Sequence, residues 1–324
     1  MKNSLNLALI GAGEIANFHM PSMQAVGFNI SSVASSKNSK TINNFAKKYK
    51  IPKIYSDPSD LIKNSSDWDA LLITSPTTFN INYLKKSAVL KKPILIEKPV
   101  TLNHKELENF LSYKNIRVSY NRRFYKGVDV FLKFIKKNPR ALIKVSIPEK
   151  RRDEQDNLDF PDRLPTLSYE NSVHIFDLLN YMVGEISWDH IINIKTSNKY
   201  VSISGVGSTT SGAIVQLNSC YNSPENFSIS ATSGSEKVIM EPIEITTIIN
   251  GLTIIEPTKN KPLRTYIPKV TNQIIESKYS EHKPGFYGQA KDFMDFCNNK
   301  NNCIGADIKD AYKALIFADS LIKK

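Results

Sequence analysis

The sequence predicts an α/β chain with an amino-terminal doubly wound parallel sheet and a carboxyl-terminal α+β domain on a large, mostly antiparallel open sheet. Three observations carry this. Over the first third, short apolar runs alternate with helix-length amphipathic stretches, as β-α units of a parallel sheet require. From Ile186 to about Ile255, strand-length segments follow one another with no helix-length pattern between them. Helical periodicity then returns in two segments, Phe286–Cys297 and Ile308–Ile322.

Taken in order, Leu5–Ile10 is a buried-strand run, and a glycine turn leads to a helix over Glu14–Ala25. Phe28–Ala34 reads as the second strand, Ser39–Tyr49 as the second helix, and Lys53–Tyr55 as a short strand before a helix from Asp57. The apolar strand Ala70–Thr74 ends at Ser75-Pro76; Asn80–Leu90 is helical and Pro93–Glu97 is a further strand. Asn103, with Glu106 three residues on, has the spacing of a capping box opening a helix. Ile116–Tyr120 closes the series, which sets the expected domains at 1–121 and 122–324.

The second domain starts with a helix around Val128–Lys137 and the strand Ala141–Ile147. Pro148–Pro165, rich in charge and proline, reads as a long loop, and Tyr169–Val183 as an amphipathic helix. Strands are expected at Ile191–Lys195, Val201–Val206, Ala213–Asn218, Phe227–Ala231, Lys237–Met240, Ile243–Ile249 and Leu252–Ile255. Ser233-Gly234 and Asn250-Gly251 are turn signals between some of them. The last two helices are expected to pack back on the first domain.

Composition narrows the classes. With 324 residues, 41% hydrophobic and 23% charged, the chain can bury a substantial core, and disordered or collagen-like readings fail. Cys220, Cys297 and Cys303, odd in number and without C-x-x-C, argue against a disulfide framework and against structural zinc. No metal site is expected. No apolar run approaches a membrane span, and no signal-peptide cleavage region precedes the glycine turn, so a cytoplasmic location is expected. The net charge of +12 is spread through the chain rather than focused. It permits nucleic-acid binding or attraction to anionic metabolites, but reads as a solvated basic surface, with no zinc-finger or recognition-helix signature, and a nucleic-acid partner is not expected.

The glycine turn carries the first chemistry. Gly11-Ala12-Gly13-Glu14-Ile15-Ala16 lies between a strand and a helix. Gly11 permits the tight turn, Gly13 lets a pyrophosphate approach the backbone, and Ala16 is small enough for close packing, as in a Rossmann dinucleotide fold. The N–H groups opening the helix at Glu14 and Ile15 complete an anion site. Such folds commonly bind the ribose of NAD with an acidic residue about 20 positions on. Here no Asp or Glu occurs between Glu14 and Asp57, and the second strand ends at Ser35-Ser36-Lys37. Hydroxyls and a cation suit a 2′-phosphate, so NADP is favoured over NAD, which Ser35 or Ser36 could also serve.

Gly11–Ala16 with His19, then Thr74-Ser75-Pro76, Glu97-Lys98-Pro99 and Asn121-Arg122-Arg123-Phe124, resemble in order and spacing the glucose–fructose oxidoreductase/inositol dehydrogenase (Gfo/Idh/MocA) family. The resemblance implies a Rossmann domain followed by an α/β domain whose open sheet supports a homodimer or homotetramer. It implies cofactor contacts from Thr74, Ser75, Pro76, Glu97 and Lys98. Lys98 matches the family's E-K-P lysine, beside nicotinamide and substrate, and the Lys98–Pro99 bond is expected to be cis. His19 is read as a packed or capping histidine.

On the helix from Tyr169, Glu170, His174, Asp177 and Tyr181 fall within about 60° of one another. A histidine flanked by carboxylates suits a proton relay. In the family's D-x-G-x-H-x-x-D pattern, His174 and Asp177 match, Glu170 replaces the first aspartate, and Ser172 replaces the glycine. Asn80 stands where many members carry histidine. The expected reaction is reversible oxidation of a secondary alcohol on a sugar, nucleotide sugar or cyclitol. His174, assisted by Lys98, removes the hydroxyl proton, with Glu170 and Asp177 orienting the base or binding hydroxyls. Arg122 and Arg123 clamp an anionic part of the substrate or form a structural salt bridge, and Tyr181 lines the substrate. The departures at Glu170, Ser172 and Asn80 keep a non-catalytic dinucleotide sensor in view, and the same hydride step could instead activate an elimination in an NAD-dependent glycoside-cleaving enzyme.

Overall fold

A computed structural model describes residues 4–37, 39–148, 169, 171–197, 200–220, 223–276 and 281–322. The chain forms two compact units: Met1–Phe124 with Ser280–Ile316, and Tyr125–Tyr279 with Phe317–Lys324.

The first unit is built on six parallel strands: β1 (Asn6–Ile10), β2 (Asn29–Ala34), β3 (Lys53–Tyr55), β4 (Ala70–Ile73), β5 (Ile94–Ile96) and β6 (Ile116–Val118), in the order β3-β2-β1-β4-β5-β6. The chain runs outward from β1 to β3 and then returns to β4 on the other side of β1. That reversal is the topological switch point where doubly wound sheets bind ligands. Ile10 pairs with both Ala34 and Ile73, and Ile73 with Ile96, so β1, β2, β4 and β5 end level. Helices α1 (Glu14–Ala25), α2 (Ile42–Tyr49), α3 (Pro58–Lys63) and α4 (Thr77–Ala88) connect the strands. Every residue of β4 and β5 is buried, as expected where helices cover both faces of a parallel sheet. The helix α7 (Phe286–Cys297) returns to this unit and places Ala290 and Phe293 in the same core as Leu7, Leu9, Met20 and Phe28.

The second unit holds α5 (Lys126–Lys137), β7 (Leu142–Ile147), α6 (Ser172–Val183) and β8–β14 at Ile186–Ser197, Tyr200–Thr209, Ile214–Cys220, Ser228–Ser233, Glu236–Met240, Ile245–Ile255 and Thr265–Ile275. The eight strands order as β14-β13-β12-β11-β7-β10-β9-β8, antiparallel except for β7 beside β10. One face is apolar and buried through Ile143, Val145, Val215, Leu217, Ile229 and Ala231. Strand registry puts Ile192, Ile194, Val206 and Ile214 together on the opposite face, where they are exposed. The helix α8 (Ile308–Ile322) is the last element, its residues up to Ile316 counting with the first unit.

The fold class is as the sequence predicts, and four local expectations are corrected. Asn250-Gly251 does not end a strand: β13 runs through it, with Gly251 at φ 76° absorbing a register irregularity between Ile249 and Leu252. The strand β14 escapes sequence reading because every residue of Thr265–Gln273 is exposed, so no buried face imposes an apolar alternation. The Asn103/Glu106 capping box does not form. Asn103 caps a short 3₁₀ turn, His104–Phe110, by accepting from the Lys105 N–H, while the Glu106 carboxylate takes the Thr101 hydroxyl. That hydroxyl oxygen accepts the Asn103 N–H instead, standing between the two would-be partners. Finally, α6 starts at Ser172 rather than Tyr169. Residues 149–168, which include most of the predicted loop Pro148–Pro165, lie outside the described residues, as does Glu170.

Candidate dinucleotide site and polar helix strip

The glycine turn follows β1 directly. Gly11 has φ +102°, and a Cβ there would stand 2.7 Å from the Thr74 hydroxyl and 2.8 Å from the Thr74 carbonyl oxygen. Glycine is therefore required both by conformation and by the approach of β4. The Gly11 N–H donates to the Ala34 carbonyl at 2.8 Å, and Thr74 Oγ1 donates to the Ile10 carbonyl at 3.1 Å, tying the ends of β1, β2 and β4 together. Gly13 differs: nothing lies within 4 Å of where its Cβ would be. It is the N-cap of α1, and no side chain caps that end. An open cradle above uncapped N–H groups fits a pyrophosphate. Glu14 is exposed, Ile15 half-buried, and Ala16 fully buried against the sheet.

At the end of β2, Ser35 is half-buried and Ser36 and Lys37 are exposed. Asp57 caps α3 by accepting from the Ser59 N–H at 2.7 Å. That backbone hydrogen bond, with the charges of Lys86 and Lys37, holds its carboxyl below the ordinary range.

The third strand end carries the densest polar arrangement. Glu97 is buried behind β5, and His19 Nε2 lies 2.6 Å from its Oε1. A carboxylate only accepts, so the imidazole donates through Nε2. Burial pushes the Glu97 carboxyl up, yet the hydrogen bond and charge of His19, the charge of Lys98 and the Ser119 hydroxyl outweigh it and bring it below its usual value. The Lys98 N–H donates to Glu97 Oε2 at 3.2 Å, and the Lys98–Pro99 peptide is cis. On the far side, Ser75 Oγ donates to Asn80 Oδ1 at 2.6 Å. Asn80 Nδ2 donates to the carbonyls of Glu97 and Pro99 at 3.4 and 3.3 Å. Lys98 itself is half-buried at this strand end. His19, read as a packed or capping residue, is packed at 4.7 Å on Phe286 and is also the partner of Glu97. Its position in the first helix gave no hint of that pairing, since 78 residues separate the two.

Arg122 and Arg123 sit on the short turn Asn121–Phe124. Arg123 is buried and engaged with the Asp310 carboxylate at 3.2 Å and the Ile304 carbonyl at 3.3 Å. Arg122 is half-buried.

In the second unit, α6 is buried almost all round. Val173, Ile175, Phe176, Leu178 and Leu179 are core residues, and Phe176 stacks on Phe317 at 4.7 Å. The polar strip is not a solvent stripe: His174 is 7% exposed and Asp177 1%, with Tyr181 half-buried. Among the described residues, no group of three His, Cys, Asp or Glu side chains is placed to hold a metal ion.

A dinucleotide-binding Rossmann unit is thus defined by its sheet order, its glycine cradle and its strand ends. Residues 5–115 match the model of the oxidoreductase family with an NAD-binding Rossmann fold (GFO_IDH_MocA). The chain is 28% identical over 192 residues to the uncharacterised oxidoreductase YrbE of Bacillus subtilis, covering 57% of this chain and 55% of that protein. It is 22% identical over 186 residues to myo-inositol 2-dehydrogenase of Thermotoga maritima, covering 56% and 55%. The match thus spans about half the length of these relatives. Among solved structures, levoglucosan dehydrogenase in complex with NADH and levoglucosan superimposes with a TM-score of 0.76 at 15% identity, over 99% of this chain and 96% of that one. The fold therefore extends along nearly the whole chain.

Proposed function

We propose that this chain is an NAD(P)-dependent oxidoreductase that transfers a hydride between nicotinamide and a secondary alcohol or ketone of a sugar, nucleotide sugar or cyclitol. The observation that carries this is the level alignment of Gly11, Thr74 and Glu97-Lys98 at the carboxyl ends of β1, β4 and β5, beside the switch point. The myo-inositol and levoglucosan dehydrogenases named above support a polyol substrate. When bound, the nicotinamide supplies the hydride acceptor or donor. Gly11, Gly13 and the N–H groups of Glu14 and Ile15 hold its pyrophosphate, and Thr74, Ser75 and Pro76 border it. Ser35, Ser36 and Lys37 face the adenosine ribose, and with no carboxylate at the end of β2 they favour NADP.

His174 acts as the general base on the hydroxyl, Asp177 and Glu170 orient it or hold neighbouring hydroxyls, and Lys98 assists at the reacting oxygen. Arg122 and Tyr181 contact the substrate, and Arg123 braces the turn that carries Arg122. General bases contribute roughly 10²–10⁴-fold, so His174→Ala lowers turnover by that order with the fold retained. Following reduced dinucleotide by absorbance across inositols, free sugars and nucleotide sugars, with both cofactors, checks this. No substrate-dependent change with any of them contradicts it.

We propose also that copies of the chain associate through the open face of the eight-stranded sheet, where Ile192, Ile194, Val206 and Ile214 form an apolar patch. Sedimentation of Ile192→Lys should show a smaller species than the parent.

A further inference from the structure

Asn80 is buried on the first turn of α4, between the segments that follow β4 and β5. Its carboxamide nitrogen lies 3.4 Å from the Glu97 carbonyl and 3.3 Å from the Pro99 carbonyl, and its oxygen lies 2.6 Å from Ser75 Oγ. Both carbonyls only accept, so the NH2 faces them, one hydrogen to each, and the amide oxygen faces Ser75. The reverse orientation would set oxygen against two carbonyl oxygens in a buried place. One direction then remains for the third bond: the Ser75 hydroxyl donates to Asn80. A serine hydroxyl carries a single proton. With that proton turned inward, the half-buried Ser75 presents lone pairs to whatever lies outside.

Strand order indicates what that is. With the pyrophosphate at the glycine turn after β1 and the adenosine ribose at the end of β2, the end of β4, on the other flank of β1, meets the nicotinamide half. The neighbouring Thr74 hydroxyl is buried and donates to the Ile10 and Gly11 carbonyls at 3.1 and 3.2 Å, so it does not supply this contact.

We infer that Asn80 is a positioning residue for the dinucleotide: it fixes Ser75 as a hydrogen-bond acceptor, and Ser75 takes a donor of the nicotinamide nucleoside, either a ribose hydroxyl or the carboxamide N–H. The inference deepens the oxidoreductase reading and rests on it for the ligand, whereas the direction of the Ser75 bond stands on the first unit alone. A neutral imidazole at position 80 could not make the same three bonds, because it offers one donor and one acceptor. On these terms the departure from histidine at Asn80 bears on how the dinucleotide is held, not on proton transfer.

The test is calorimetric titration of the full chain with NADP+, NAD+ and ADP, in the parent, Ser75→Ala, Asn80→Ala and the double variant. Ser75→Ala weakens the dinucleotides by about tenfold, the worth of one hydrogen bond, and leaves ADP, which lacks the nicotinamide nucleoside, unchanged. Asn80→Ala, which lets the Ser75 proton turn outward against the ligand's donor, weakens them by about fivefold, again with ADP unchanged. The double variant matches Ser75→Ala within about twofold, because both changes act through one contact. The 3-acetylpyridine analogues keep the ribose and lack the carboxamide N–H, so they separate the two donors. Ser75→Ala leaves their affinity unchanged if the N–H is the donor, and weakens them as it weakens the natural dinucleotides if a ribose hydroxyl is.

Losses that multiply in the double variant, or ADP weakening in step with the dinucleotides, overturn the inference. Should Asn80→Ala not fold, unchanged dinucleotide affinity in Ser75→Ala does so. A parent that binds neither NADP+ nor NAD+ contradicts the oxidoreductase reading and the inference with it, whereas a parent that binds them with multiplying losses contradicts the inference alone.

Discussion

In β4 of the six-stranded sheet, Ala70–Ile73, all four side chains are buried. Along β10 of the eight-stranded sheet, Ile214–Cys220, buried positions alternate with exposed or half-exposed ones. The first sheet is covered on both faces, so its chemistry can emerge only where strands end; Gly11, Thr74 and Lys98 all stand at such ends. The second sheet spends one face on a core and presents the other. Coverage, more than strand direction, decides where each sheet can meet a ligand or a neighbour.

Substitutions on opposite faces of β10 probe that contrast hardest. Leu217→Ala removes a fully buried side chain and should cost about 2–5 kcal/mol in urea unfolding. Ile214→Ser, half exposed on the other face, should stay within about 0.5 kcal/mol and act on association instead. Similar losses at both positions would mean that the two faces are equally covered.

The glycine pair draws the same line within the first sheet. Gly11→Ala meets Thr74 and requires a left-handed backbone, and should destabilise by about 1–3 kcal/mol. Gly13→Ala meets nothing in the protein and should leave stability nearly unchanged while weakening dinucleotide binding. Equal effects on stability would remove the distinction between a glycine the fold needs and one the ligand needs.

Glu97 adds a pH signature confined to the first unit. Its carboxyl is held below its ordinary value, so its contribution is present above the unfolded carboxyl's range and is lost as the pH falls through the folded one. Acid unfolding of Glu97→Gln should show a flatter dependence on pH in that window than the parent. The smallest effect is expected at the rim: Lys37→Glu should weaken NADPH by about tenfold more than NADH, measured by fluorescence titration, and equal changes would count against an NADP preference.

Much of the first unit was legible because continuous apolar runs such as Leu71-Leu72-Ile73 have one physical use, and because the glycine turn sits where its conformation demands it. The paired ends Phe286–Cys297 and Ile308–Ile322 were equally plain from helical period. The strand β14 was not, because neither of its faces is buried enough to pattern the sequence. At the site, Lys98 and the His174 strip were visible as motifs, but the burial of that strip and the His19–Glu97 pair were not. A contact across 78 residues leaves no local periodicity, and Glu97 read only as the neighbour of a lysine.

The most direct measurement compares the parent with Lys98→Met for two quantities at once: dinucleotide affinity, and alcohol-dependent formation of reduced dinucleotide. A lysine that serves the chemistry at the end of β5 gives turnover lower by roughly 10²-fold or more with affinity essentially retained. Undiminished turnover, or loss of affinity in step with turnover, would contradict that role.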